Sequence, residues 1–361
     1  MPRLDAFLKL AREQNCSDVH LAVGVPPMLR MHGDLMPIKF RDLDQRELTT
    51  YLTEILTPKQ KDHFKEADLD FAYSAEGVGR FRANYFQKSS GPGAVFRYIP
   101  PEVPTLGSLN LPPIVRKLID HQQGMILVTG ATGTGKSTTL AAIIDHINAS
   151  RSDNIISLED PIEFIHSSKK SQVIQREVGT HVDSFASGLR AALREDPDVI
   201  LVGEMRDAES VSMAMTAAET GHLVLGTMHT TTAVKTIDRI IDAMPFEQRE
   251  QSKTFLAQSL LGVLTQVLVK TPDGHGRKAV IESMVMTKAI GKLLMENKSH
   301  MIPSQIQTGR NLGMMLMDHA LMEAIQAREV DPNDAYQYAL DEKPFRRFVT
   351  DADLIPQVDL S

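Results

Sequence analysis

The sequence predicts an α/β protein: a small α+β domain with an antiparallel sheet, then a parallel sheet covered by helices, then a helical C-terminal part. Three observations carry this. Apolar runs of strand length alternate with helical-period segments between residues 125 and 229. A glycine-rich turn joins the first of those runs to the first of those helices. The first hundred residues instead hold short alternating segments around a few helices, the pattern of hairpins rather than crossovers.

In chain order, Leu4, Phe7, Leu8 and Ala11 recur at helical spacing, and SDVHLAV at 17–23 alternates as a strand does. MLRMHGDLMPI at 28–38 reads as a hairpin turning at His32, Gly33 and Asp34. Helices are expected near 45–56 and 58–67, and strands near 69–74, 79–87 and 93–99. Within GRFRANYFQ, alternation puts Arg80, Arg82 and Asn84 on one face and Phe81, Ala83 and Tyr85 on the other. With Arg97 on the next strand, the first face suits either solvent or phosphate groups. The five prolines of residues 99–115 remove donors and stiffen the chain, as a linker requires. The boundaries that follow are an N-terminal domain at 1–99, a linker at 100–113, a parallel-sheet core at 114–286 and a helical region at 287–361.

Met125, Ile126, Leu127 and Val128 form an apolar run of the kind that is covered on both faces. It leads into GATGTGKST: Gly130, Ala131, Thr132, Gly133, Thr134, Gly135, Lys136, Ser137 and Thr138. Its first eight residues match G-x-x-x-x-G-K-[ST] at every fixed position, and Leu140, Ile143, Ile144 and Ile147 then continue as a helix. Glycines let successive N–H groups converge on phosphate oxygens, and the helix adds its positive N-terminus. In this motif Lys136 reaches the β- and γ-phosphates and the Ser137 hydroxyl ligates Mg²⁺. A guanine-reading site would want N/T-K-x-D; the nearest match, NKSH at 297–300, lacks the aspartate, so ATP is the expected nucleotide.

Parallel sheets gather ligands at the carboxyl ends of their strands. Glu159 and Asp160 end one predicted strand, with Glu163 beyond Pro161, and Glu204 ends another. Hydrolysis needs one carboxylate to act on water and another near Mg²⁺. His222 and His229 bracket the strand HLVLGTMH, too far apart in extended chain to share a metal. His229, at the carboxyl end, is the γ-phosphate sensor of this reading, and His222 a structural residue.

LGVLTQVLVK (261–270) and KAVIESMVM (278–286) read as a hairpin across PDGHGR, with helices elsewhere after 245. The methionines crowded between 284 and 322 are expected as adaptable core filler, and the tail after Pro344 as loosely ordered. The single cysteine, Cys16, allows neither a disulfide framework nor a cysteine zinc site within one chain. Residues 1–100 hold 14 Lys/Arg against 13 Asp/Glu and the remainder 25 against 33, so the nucleotide-binding part is acidic and a nucleic-acid load is disfavoured. No uncharged run approaches the ~18 residues of a membrane span, and the N-terminus lacks the apolar core of a signal peptide. A cytoplasmic setting is expected.

GATGTGKS, ISLEDPIEF, LREDPDVILVGEMRD and TGHLVLGTMHT, in that order, resemble the bacterial secretion ATPases, and among them the type IV pilus retraction, or twitching-motility, ATPases of the PilT family. The resemblance spans nearly the whole chain, SDVHL and GRFRANYF included. It implies a PAS-like N-terminal domain, a RecA-like ATPase domain, a ring of six and a working place at an inner-membrane pilus platform. It makes Glu163 the catalytic glutamate and Glu204 the Walker B acid acting on Mg²⁺, directly or through water. Gly203 stands where most phosphate-loop enzymes carry Asp. His222 and His229 fall in the family's His box, and Arg82 and Arg97, with Arg80, match arginines that approach nucleotide. The chain departs from the pattern at AIGKLLMENK (289–298): similar retraction ATPases carry A-I-R-N-L-I-R-E, and Gly291 and Met295 replace arginines. That leaves a paralogue working beside another pilus ATPase as the alternative.

Overall fold

A computed structural model describes residues 2–31 and 34–355. The chain divides into two compact units, Met1–Val103 with Asp160–Ile165, and Pro104–Glu159 with His166–Ser361. The acidic segment at 160–165, which lies within the 114–286 span in sequence, belongs with the first unit.

The first unit runs α1 (Asp5–Glu13), β1 (Asp18–Ala22), β2 (Met28–Met31), β3 (Asp34–Pro37), α2 (Gln45–Glu54), α3 (Pro58–Phe64), β4 (Leu69–Ala75), β5 (Gly79–Lys88) and β6 (Gly91–Ile99). Its six strands pair antiparallel in the order β3-β2-β1-β6-β5-β4. The turn read at His32 and Gly33 lies outside the described residues; Met31 pairs with Asp34 across it. Local chemistry starts the helices: Asp44 caps α2 through the Glu47 N–H, and Thr57 and Gln60 form a capping box before α3 with Pro58 at its first turn. Phe81, Ala83 and Tyr85 of β5 point into the core, where Tyr85 meets Phe64, Phe71 and Phe96 edge-on. The opposite face of β5 carries Arg80, Arg82 and Asn84, as alternation requires.

The second unit contains α4 (Ile114–Ile119), β7 (Gly124–Thr129), α5 (Lys136–Ser150), β8 (Asn154–Glu159), β9 (Gln172–Glu177), α6 (Phe185–Ala192), β10 (Val199–Val202), α7 (Ala208–Glu219), β11 (Leu223–Met228) and α8 (Ala233–Ala243). It continues through α9 (Arg249–Ser259), β12 (Leu260–Lys270), β13 (Arg277–Val285), α10 (Lys288–Met295), α11 (Ile302–Thr308), α12 (Met317–Gln326) and α13 (Pro332–Tyr336). The sheet order is β13-β12-β7-β11-β10-β8-β9, parallel except for β13. The hairpin read at 261–286 therefore extends the central sheet, with β12 laid parallel on β7. Met125 and Leu127 of β7 face one apolar cluster and Ile126 and Val128 face another, which is why this strand is apolar at every position.

Three elements escape the sequence reading. α4 directly follows the prolines of the linker, β9 carries Gln172, Gln175 and Arg176 because it is an edge strand, and α8 begins at Ala233, capped by Thr232, three residues beyond the strand-end histidine's neighbour Thr230. The expectation of a loose tail after Pro344 is corrected over residues 345–355: Phe345 is 1% exposed, packed with Val269, Val280, Leu321 and Tyr336. One aromatic in an irregular segment supplies no period to read, yet it buries as deeply as a helical leucine. Met284, Met314 and Met317 are buried core residues, whereas Met295 and Met301 are exposed. No described helix is long and apolar enough to cross a membrane.

Candidate active site

In the second unit the phosphate loop lies between β7 and α5. Gly135 takes φ +87°, the left-handed region, immediately before the helix begins at Lys136. The Lys136 side chain is buried, its ammonium donating to the carbonyls of Gly130 and Ala131 at 2.9 and 3.0 Å. Ser137 is exposed in the first turn of α5, whose N–H groups have no partner one turn back within the helix.

The loop rests on β12. Gln266, 1% exposed, donates its amide to the Thr134 carbonyl at 2.6 Å and accepts the Thr139 hydroxyl at 2.9 Å. Beneath it the hydroxyls of Thr129 and Thr265 lie 2.8 Å apart. A Cβ on Gly130 would fall 2.4 Å from the Gln266 carbonyl, so the approach of loop to strand requires glycine there. Sequence reading missed Gln266. The available signal was Thr265-Gln266, a polar pair inside an otherwise apolar strand.

Glu204 follows β10 by two residues. Arg206 grips its carboxylate through two nitrogens, one contact measuring 2.6 Å, and His229 Nε2 lies 3.0 Å from Oε1. An ionised carboxylate only accepts, so Nε2 carries the hydrogen; Nδ1 then faces the Thr132 hydroxyl of the loop at 3.5 Å. Burial works to raise the Glu204 carboxyl, but Arg206, His229 and Lys136 outweigh it and hold it below the ordinary value. His229 therefore bridges phosphate loop and strand-end acid, while His222, at the other end of β11, is tied to the Ala217 carbonyl at 2.8 Å. Glu159 accepts from Ser157 and Gln175. Arg206 was not singled out in the sequence, although it stands two residues from Glu204 in the same turn.

Gly203 has a steric reason. Its N–H donates to the Leu158 carbonyl at 2.7 Å, and a Cβ would lie 2.9 Å from that oxygen and 3.2 Å from the Glu159 Cα. β8 and β10 leave no room for the aspartate other phosphate-loop enzymes place here.

In the first unit Arg82 holds Asp70 at 2.7 Å, with its third nitrogen 3.7 Å from Glu163. The bond to Asp70 keeps the guanidinium firmly charged although it is half-buried. Arg97 pairs with Asp18 at 2.9 Å. Arg80 donates to the Ile162 carbonyl. Arg80, Arg82 and Glu163 thus come together; Arg97 lies beside Arg82 across the β5–β6 ladder but is committed to β1.

The loop torsions, a buried lysine at a helix start, an exposed serine one residue later and an acid kept ionised by cations fit a nucleoside triphosphate with Mg²⁺. Among the described residues no group of three His, Cys, Asp or Glu gathers as a metal cage, so a bound ion would take its remaining ligands from phosphate and water.

Residues 80–350 match the family described as type II/IV secretion system protein. The chain is 46% identical over 87% of its length to the type IV pilus retraction ATPase PilT of Pseudomonas aeruginosa, covering 92% of that protein. It is 38% identical over 93% of its length to the type IV pilus ATPase PilU of the same organism, covering 88% of it. A crystal structure of the pilus retraction motor PilT with bound ADP superposes with a TM-score of 0.87 at 42% identity, covering 96% of this chain and 99% of that one. With that likeness spread over both units, the chain belongs to the type II/IV secretion system protein family and is an ATPase of the pilus retraction type.

Proposed function

We propose that this chain is the ATP-driven motor of type IV pilus retraction, working as a homohexamer at an inner-membrane platform protein on the cytoplasmic side. The observation that carries the reading is the 46% identity to PilT over most of the chain, together with a phosphate loop joined to Glu204 through His229. In this reading the first unit is the PAS-like domain and the second the RecA-like one. Gly130 to Thr138 hold the ATP phosphates, Ser137 and Glu204 hold Mg²⁺, and the ion supplies charge stabilisation to the transferring phosphoryl group. Glu163 orients water, His229 reports the γ-phosphate, and Arg82 and Arg97 are the cations that an arriving phosphate draws from Asp70 and Asp18. Exchanging those partners for phosphate would link hydrolysis to movement.

Purified protein with Lys136→Ala or Glu204→Ala should lose ATP turnover, and the parent chain should restore twitching to a strain lacking its retraction motor. Unchanged turnover in both variants would overturn the site. A second reading, an accessory paralogue that needs another active pilus ATPase, is favoured by one observation: a Cβ on Gly291 would lie 3.2 Å from the Ala257 Cβ, so α10 packs tightly on α9 where similar retraction ATPases carry an arginine. Rescue only beside a second functional ATPase would select it.

A further inference from the structure

Arg80 is grouped by alternation with Arg82, yet its side chain does different work. Two of its nitrogens converge on one backbone oxygen, the Ile162 carbonyl: Nη2 at 2.8 Å and Nε at 3.3 Å, with Nη1 3.4 Å from the Ser74 hydroxyl. Ile162 is the residue before Glu163. On either side of that glutamate, Ile162 and Phe164 are 6% and 9% exposed, while the Glu163 side chain keeps 30% of its surface open. The short segment is thus pinned by two apolar side chains and one guanidinium fork, and the carboxylate between them projects from a fixed backbone.

We propose that Arg80 is a positioning residue that aims Glu163 by anchoring the backbone of residues 160–165 to β5, and that reading phosphate is left to Arg82 and Arg97. The argument rests on the assignment of Glu163 as the glutamate acting on water. A guanidinium that spends two N–H groups on one carbonyl fixes both the distance and the plane of that peptide, which an ammonium cannot do. Displacing a catalytic group by about 1 Å costs on the order of 100-fold in rate, so this anchor bears on turnover rather than on nucleotide affinity.

The test uses the full chain and four variants: Arg80→Ala, Arg80→Lys, Glu163→Gln and the double variant Arg80→Ala/Glu163→Gln. Hydrogen exchange of the segment following Pro161 reads the anchor directly, without any turnover. It should quicken in Arg80→Ala with the amides of α5 unchanged. Steady-state kcat should fall by about 10- to 100-fold in Arg80→Ala, less in Arg80→Lys, while the Kd for a fluorescent ATP analogue stays at the parent value. In the Glu163→Gln background, Arg80→Ala should cost no further turnover, because the group it aims is already gone. Weakened analogue binding with kcat retained, or an additive loss in the double variant, would place Arg80 on the nucleotide and overturn the proposal. Unchanged exchange of the segment would overturn it too. A parent chain with no turnover but quickened exchange in Arg80→Ala would instead sink the ATPase reading and leave the anchor standing.

Discussion

The Gln266 side-chain amide donates to the Thr134 carbonyl at 2.6 Å, so a residue of β12 sets the height of the phosphate loop that begins after β7. The two strands are neighbours in the sheet although 136 residues separate Thr129 from Thr265. Replacing Gln266 by Leu keeps the volume and leaves the Thr134 carbonyl and Thr139 hydroxyl without their partner. Leaving a buried acceptor unpaired costs about 1–3 kcal/mol, which predicts about tenfold weaker binding of a fluorescent ATP analogue at about 1.4 kcal/mol per decade. Gln266→Glu should be worse at neutral pH, since a carboxylate faces the carbonyl with no hydrogen to offer. Parent-like affinity in both variants would show that the loop holds its form alone.

Gly203 offers a second test. A methyl group there meets the Leu158 carbonyl at 2.9 Å and must push β8 and β10 apart beyond the point where Glu204 is presented. Gly203→Ala should cost about 1–3 kcal/mol in chemical denaturation and lower turnover, and Gly203→Asp should cost more. A stable, active Gly203→Asp protein would mean that the strands yield easily.

Glu282 makes a pH prediction. It is 2% exposed, and burial raises its carboxyl above the ordinary value of 4.5 despite backbone N–H groups of Ala233 and Met317 donating to it. A carboxyl with a raised folded-state value binds its proton more tightly in the native protein. Its contribution to stability is complete below about pH 4.5 and is lost as pH rises through the raised value. Denaturation midpoints measured across that window should fall with pH more steeply in the parent than in Glu282→Gln. Parallel curves would refute the assignment.

Phe345 concerns the C-terminal segment. At 1% exposure it fills a cluster built on β12, β13 and α12. Phe345→Ala should destabilise the second unit by about 3–5 kcal/mol, read as a lower denaturant midpoint. A shift below about 1 kcal/mol would fit a surface position instead.

Much of this protein is legible in the chain because its cues are local. The phosphate loop declares itself by glycine spacing between an apolar run and a helix, and Glu204 by its place just past Val202. The face shared by Arg80 and Arg82 follows from a period of two. These are facts about neighbours in sequence, and backbone geometry converts them directly into neighbours in space. What only the tertiary structure decided involves pairs far apart along the chain. Gln266 beneath Thr134, Phe345 in the β12–β13 cluster and Arg80 on the Ile162 carbonyl are set by which strands lie side by side and which segments return to them. A hydrogen bond across a hundred residues leaves no periodic trace, because its two ends need only chemistry and proximity, and proximity is what folding supplies.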